Sequence, residues 1–208
     1  MESFLENDFL ILEKIKNKME ANLREEKIIL DEKENETYSR LYKNEILIEE
    51  KWFNNNKLHR DDDFPAHIKY HENGNKRFEH YYKNGSVYRE NDFPAIIFYN
   101  ENGTIYSTCC YNQQEQIHTE TDVPSRVWYY ANGNKSCEQY SKNNSIHRNY
   151  DLPAVIEYYE NGTISIEQWY NYGRKHRSDN KPNEILYNPM EAYLVNTLIY
   201  FNFFKLKI

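Results

Sequence analysis

The sequence points to a mainly β fold: an elongated antiparallel meander of tandem β-hairpin repeats, preceded by an amphipathic α-helix. The first observation is spacing. Asp63, Asp92, Asp122 and Asp151 of an Asp-x-Pro step lie 29, 30 and 29 residues apart. Gly74, Gly103, Gly133 and Gly162 keep those intervals, as do His59, Tyr88, His118 and His147, with His176 a further 29 residues on. Three columns in one register mark a repeat. The second observation is alternation with a period of two after each Pro, the signature of a strand. The third is composition. Of 208 residues only 46 are Leu, Ile, Val or Phe, against 20 Tyr, at a mean hydropathy of -0.99. That is too little aliphatic volume for a large core, and too many rings for a disordered chain. Tyrosine suits a thin, half-wet layer, because its ring can be covered while its hydroxyl stays hydrated. The balance disfavours a compact enzyme.

Residues 2–30 carry Leu5, Phe9, Leu12, Ile15, Met19, Leu23 and Leu30 at mostly three- and four-residue steps, which predicts an amphipathic helix. Segment 1–36 is therefore read as a helical cap or oligomerisation element. Glu26 at a core heptad position and Lys16 near one make docking on the sheet the better reading over a coiled coil. Residues 37–189 form the array. A truncated copy opens it, with Glu50, Trp52 and Phe53 matching Glu167, Trp169 and Tyr170 at an offset of 117.

Within a unit, Ala154, Ile156 and Tyr158 alternate with Val155, Glu157 and Tyr159, and the same side recurs as Ala66, Ile68, Tyr70 and as Ala95, Ile97, Tyr99. Asn73-Gly74, Asn102-Gly103, Asn132-Gly133 and Asn161-Gly162 are expected to close the hairpin in a type I′ turn. A second strand then leads to a second turn, at Asn84-Gly85 or Tyr172-Gly173. The added residue of the third unit falls within Asn112–Gln116, where that second turn belongs. Pro lacks a ladder donor and should open a strand. A last partial copy has Asp179, Pro182, Ile185 and Tyr187, with one extra residue ahead of its Pro. The tail 190–208 is apolar, reads as a cap for the open end of the array, and is marginally short for a bilayer span.

Three cysteines, an odd number, and a start without a basic or apolar leader segment fit a cytoplasmic protein, so the Asn-x-Ser/Thr sequons are expected to be unused. Residues 1–50 hold 14 acidic and 8 basic side chains; the remainder hold 19 and 18. With no basic stripe along the array, nucleic acid is excluded as a partner.

The recurring histidines do not converge as a metal site requires, since equivalent side chains of stacked repeats stand one unit apart. Arg60, Arg89, Arg148 and Arg177 are followed by an Asp that caps the tight turn, and each Arg is expected to pair with a nearby carboxylate. The Glu column, Glu50, Glu79, Glu138 and Glu167, reads as sheet pairing rather than catalysis. Adjacent Cys109 and Cys110 fall on opposite faces of a strand. No catalytic residue, metal or cofactor is expected. The aromatic rows are the candidate binding residues: Trp52, Phe53, Tyr82, Tyr111, Trp169 and Tyr170.

The unit His-Arg-x-x-Asp-x-Pro-Ala…Tyr-x-x-Asn-Gly…Glu-x-Trp-Tyr resembles the MORN-type hairpin repeat, and in its longer form it is similar to repeats of large DNA virus proteins. MORN units are shorter and richer in glycine than this chain, which has 6. The resemblance implies a non-enzymatic scaffold for a protein partner, in some relatives at membranes, here with a viral source. Self-association through the N-terminal helix is a second role. The alternative is recognition of a glycan or lipid headgroup by the aromatic rows, on a partial similarity to Trp-Tyr-rich wall-binding repeats.

Overall fold

The computed structural model describes residues 26–33 and 36–188, so the expected helix up to residue 25 and the apolar tail 190–208 lie outside the described residues. The described chain is antiparallel β structure. Its sheet starts earlier than the array was expected to. β1 (Glu26–Lys33) pairs over eight positions with β2 (Glu36–Lys43), so the last residues of the segment read as helical, Glu26 to Leu30, are strand instead. The β-branched pair Ile28-Ile29 suits a pleated strand, and a partner strand overrides a weak helical pattern.

The meander continues through β3 (Ile46–Asn54), which also pairs with β4 (Lys57–Leu58), then β5 (His67–Tyr70) and β6 (Lys76–His80). After β7 (Tyr82–Lys83) and β8 (Ser86–Val87) come β9 (Ile96–Tyr99), β10 (Ile105–Cys109), β11 (Arg126–Tyr129) and β12 (Lys135–Gln139). β13 (Ser141–Lys142) and β14 (Ser145–Ile146) precede β15 (Val155–Tyr158) and β16 (Ile164–Gln168). β17 (Tyr170–Asn171), β18 (Arg174–Lys175) and β19 (Glu184–Leu186) complete the chain. The main sheet runs β1-β2-β3-β5-β6-β9-β10-β11-β12-β15-β16-β19, so each unit advances it by two strands. The pairs β7–β8, β13–β14 and β17–β18 are separate two-stranded hairpins, one at the foot of a unit.

The two kinds of hairpin use different turns. At Asn73-Gly74 the positive φ falls on Gly74 alone (85°), not on both residues. Gly74 N–H donates to His71 O (3.0 Å) and His71 N–H to Asn75 O (2.8 Å), a type I turn followed by a glycine bulge rather than the expected type I′ turn. The Asn73 side chain explains the choice. Its Oδ1 accepts the Asn75 N–H at 3.0 Å, which holds Asn73 at negative φ. The type I′ geometry goes instead to the short hairpins, where both central residues are left-handed: Asn84-Gly85 (53°, 93°), Asn143-Asn144 (48°, 65°) and Tyr172-Gly173 (44°, 82°). The third unit differs as its length requires. Asn112–Gln116 closes through Glu115 (φ 57°), with Glu115 N–H donating to Asn112 O at 3.0 Å, so the extra residue lengthens a turn and leaves the sheet in register.

In the Asp-x-Pro loops Asp62-Asp63, Asn91-Asp92 and Tyr150-Asp151 all have positive φ, and so do Asp179-Asn180. Lys181 N–H donates to Ser178 O (3.2 Å) as Phe64 N–H does to Asp61 O (3.3 Å). The last copy therefore carries no extra residue: Asn180, not Asp179, holds the Asp position.

The buried side is the one the alternation names. Ala66, Ala95, Ser125 and Ala154 are wholly inaccessible, with Ile68, Val127 and Ile156 also buried. Register places one residue of each strand in a single row on this face: Glu50, Ile68, Glu79, Ile97, Thr108, Val127, Glu138, Ile156, Glu167 and Ile185. Carboxylates and aliphatics alternate across the sheet, with Thr108 in place of one carboxylate.

Candidate functional site

The seam between units is built from rings, guanidinium groups and carboxylates. Arg60, Arg89, Arg148 and Arg177 lie 3.7–3.8 Å over the rings of Trp52, Tyr81, Tyr140 and Trp169. Each also donates through Nη1 to the carbonyl of the Pro five residues on, at 3.2–3.3 Å. The third unit lacks both members: Cys110 stands in the ring position and Thr119 in the Arg position. With Cys110 in the ring position, a guanidinium at position 119 would have no ring to stack on.

The carboxylate partner of Arg comes from the preceding unit, 26 residues earlier, rather than from its own turn. Arg89 grips Asp63 through Nε and Nη2 (2.7 and 2.8 Å), and Arg148 grips Asp122 in the same way (2.8 and 2.9 Å). These bonds hold Asp63 and Asp122 below the usual carboxylate range. The other two seams differ. Asp92 accepts the Glu120 and Thr121 N–H groups (2.9 and 2.7 Å), and Asp151 accepts the Ser178 N–H (3.0 Å). Asp therefore ties neighbouring units together, and the seams alternate in kind. The hairpin tips alternate too. Asn73 and Asn75 donate to Glu101 O, and Asn132 and Asn134 to Glu160 O, whereas Thr104 and Thr163 bond within their own turns. The true period of the contacts is two units.

The Glu column is hydrogen-bonded across the sheet. Glu79 and Glu138 are only 6% and 5% exposed, and a buried carboxylate must be paired. Tyr99 donates to Glu79 at 2.5 Å, Tyr158 to Glu138 at 2.5 Å and Tyr187 to Glu167 at 2.6 Å, each twenty residues on; Tyr70 does the same to Glu50. Lys76 and Lys135 complete Glu79 and Glu138. The carboxylate bond pushes the Tyr187 phenol up to about 12, and burial followed by the same bond raises Tyr99 and Tyr158. His59 and His118 pin the next short hairpin, accepting the Asn84 and Asn143 N–H groups at 3.1 Å through Nδ1. His147 stacks on Tyr172 at 4.1 Å instead. Among the described residues no group of three or more His, Cys, Asp and Glu is placed to hold a metal ion.

The predicted binding residues fall into two sets. Trp52 is sandwiched between Tyr38 (4.6 Å) and Arg60, while Trp169 is 4% exposed and donates its indole N–H to Asp151 O at 2.9 Å. Each indole has a guanidinium on the ring face that a sugar would use. Phe53, Tyr82, Tyr111 and Tyr170 open the short hairpins, opposite Leu58, Val87, Ile117 and Lys175, and are half-buried there. Cys109 and Cys110 do face opposite ways: Cys109 meets Arg126 Nε at 3.4 Å, and Cys110 lies 3.2 Å from Asp92 O, where burial pushes its thiol up to about 12.

Outward-facing apolar groups lie elsewhere. The residue between Asp and Pro is exposed in every full unit: Phe64 52%, Phe93 51%, Val123 40% and Leu152 37%. Between Phe64 and Phe93 runs a groove of about 280 Å³, floored by Tyr81 and Tyr82, and a matching one of about 250 Å³ lies beside Tyr140 and Arg148. The open face of the sheet carries a smaller aromatic group, with His80 stacked on Phe78 at 4.2 Å and Phe98 beside it. Burial there pushes the His80 imidazole down to about 4. The exposed row was legible as the apolar x of Asp-x-Pro, but a repeated apolar residue reads as core until the structure shows which way it points.

No protein-family model and no curated protein sequence matches this chain. Among the described residues no helix is long and apolar enough to cross a membrane.

Proposed function

We propose that this protein is a non-enzymatic scaffold of MORN-like hairpin units whose loop edge holds a protein partner. One observation carries the reading: Phe64, Phe93, Val123 and Leu152 present one exposed apolar side chain per unit. Phe64, Phe93 and Leu152 stand on turns fixed by left-handed residues, and the Asp before each of the four is held by cross-unit hydrogen bonds, so the row is preorganised. Repeated exposed apolar groups beside polar ones mark interaction surfaces. The carboxylates that acid–base chemistry would need are engaged with neighbouring tyrosines, which supports a binding role over a catalytic one. The test is affinity capture with the wild-type chain and with Phe64→Asp/Phe93→Asp, whose fold is verified by circular dichroism because the two rings also lie against Arg60 and Arg89. The variant is expected to lose partners that the wild type retains. Identical captured sets would reject the reading.

A further inference from the structure

Resting on the scaffold reading, we infer that the loop edge recognises a basic, proline-containing peptide in the polyproline II conformation, one ligand turn per unit. The first ground is pitch. Each unit advances the sheet by two strands, so equivalent side chains recur at about 9.5 Å. Three residues of polyproline II rise about 9.3 Å. Two turns of α-helix rise about 10.8 Å, and alternate residues of a strand about 6.7 Å. Across the three steps from Phe64 to Leu152 the polyproline II mismatch stays below about 1 Å, while that of a helix grows to about 4 Å, more than a side chain absorbs. Only the three-residue repeat keeps every anchor in step.

The second ground is charge. The five loops 59–63, 88–92, 118–122, 147–151 and 176–180 together hold nine Asp and Glu against four Arg. All four Arg are committed to a ring and a Pro carbonyl. Asp61 and Glu90 follow Arg60 and Arg89, Glu120 follows Thr119 at the equivalent place, and all three are exposed, close to the apolar row. One oxygen of each meets His59, Lys83 or His118 of the same loop edge, and the carboxylates stay solvent-exposed. The edge thus offers an apolar anchor and, in these units, an exposed, weakly paired carboxylate at each step, which complements a ligand carrying one apolar and one basic residue per turn. The third ground is the groove between Phe64 and Phe93, where the half-buried Tyr82 and Tyr88 form the aromatic lining that a preformed, hydrogen-bond-free ligand helix docks into.

Fluorescence anisotropy with labelled synthetic peptides on the full chain tests this. (Pro-Leu-Arg)4 is expected to bind at least about tenfold more tightly than a scrambled peptide of the same composition, and than (Pro-Leu-Glu)4. (Pro-Leu-Arg)2 should bind more weakly than the four-turn peptide, and rising salt should weaken both. Phe64→Asp/Phe93→Asp should lose about tenfold or more, while Phe98→Asp on the open sheet face should not. Equal binding of the scrambled peptide overturns the inference, as does tighter binding of a proline-free peptide with Leu and Arg at helical spacing, or no binding at all. The scaffold reading stands or falls separately, on whether Phe64→Asp/Phe93→Asp loses captured protein partners.

Discussion

Arg89 joins three groups that no local rule would connect: the Tyr81 ring beneath it, the Pro94 carbonyl of its own loop and the Asp63 carboxylate of the preceding unit. Asp63 is largely exposed, so the ion pair is screened and the stacked, bidentate geometry supplies most of the gain. Arg89→Ala is expected to cost about 1–2 kcal/mol in urea unfolding. The third unit supplies a converse test. Thr119→Arg alone puts a guanidinium over Cys110 and should add little, whereas Cys110→Tyr with Thr119→Arg rebuilds the pair. A double-mutant cycle should give a favourable coupling of about 0.5–1.5 kcal/mol. Additive single effects would show that ring and guanidinium are not one device.

Among the elements, the short hairpins absorb variation that the main strands do not. Gly85, Asn144 and Gly173 N–H groups donate to Leu58, Ile117 and Ile146 carbonyls of the preceding short hairpin at 2.8–3.0 Å, so these hairpins form a second stack beside the sheet. That stack accepts either a two-residue turn at Asn84-Gly85 or the longer turn at Asn112–Gln116. Replacing Gln113-Gln114-Glu115 by Asn-Gly should therefore keep the fold, with stability within about 1 kcal/mol of wild type by thermal denaturation. The same one-residue shortening inside β10 would move every later side chain to the opposite face and should abolish the cooperative transition. Equal effects at the two places would contradict this division.

For the whole molecule, stability is a sum over units and seams, and the seams come in two kinds. Asp–Arg clamps join the first unit to the second and the third to the fourth, while Asp accepts backbone N–H groups at the seams between. Duplicating residues 64–122 adds two units and keeps the alternation, so it should raise the thermal midpoint. Duplicating residues 64–92 sets like units side by side, with Asn tip donors facing the wrong turn, and should raise it less or lower it. Equal gains per added unit would show that the two-unit period has no energetic meaning.

The repeat, the strand faces and the place of the inserted residue are all legible in the chain, because each depends on residues within one unit. Asp-x-Pro, Asn-Gly and the alternation of Ala, Ile and Tyr are local patterns with local causes. The two-unit period was also written there, in Asn75-Lys76 and Asn134-Lys135 against Thr104-Ile105 and Thr163-Ile164, but its meaning lies in bonds to the next unit's turn. What the chain could not reveal is who meets whom across 20 or 26 residues. Glu79 finds Tyr99, and Arg89 finds Asp63, because strand register and sheet order bring them together. Nor could Asn-Gly alone select its turn, since a side-chain bond within Asn73-Gly74-Asn75 outweighs the usual type I′ preference. Exposure was the last property to be settled. Trp169 and Phe64 are both large, apolar and repeated, yet a guanidinium and a carbonyl enclose the first, while the fixed Asp-x-Pro turn aims the second at solvent.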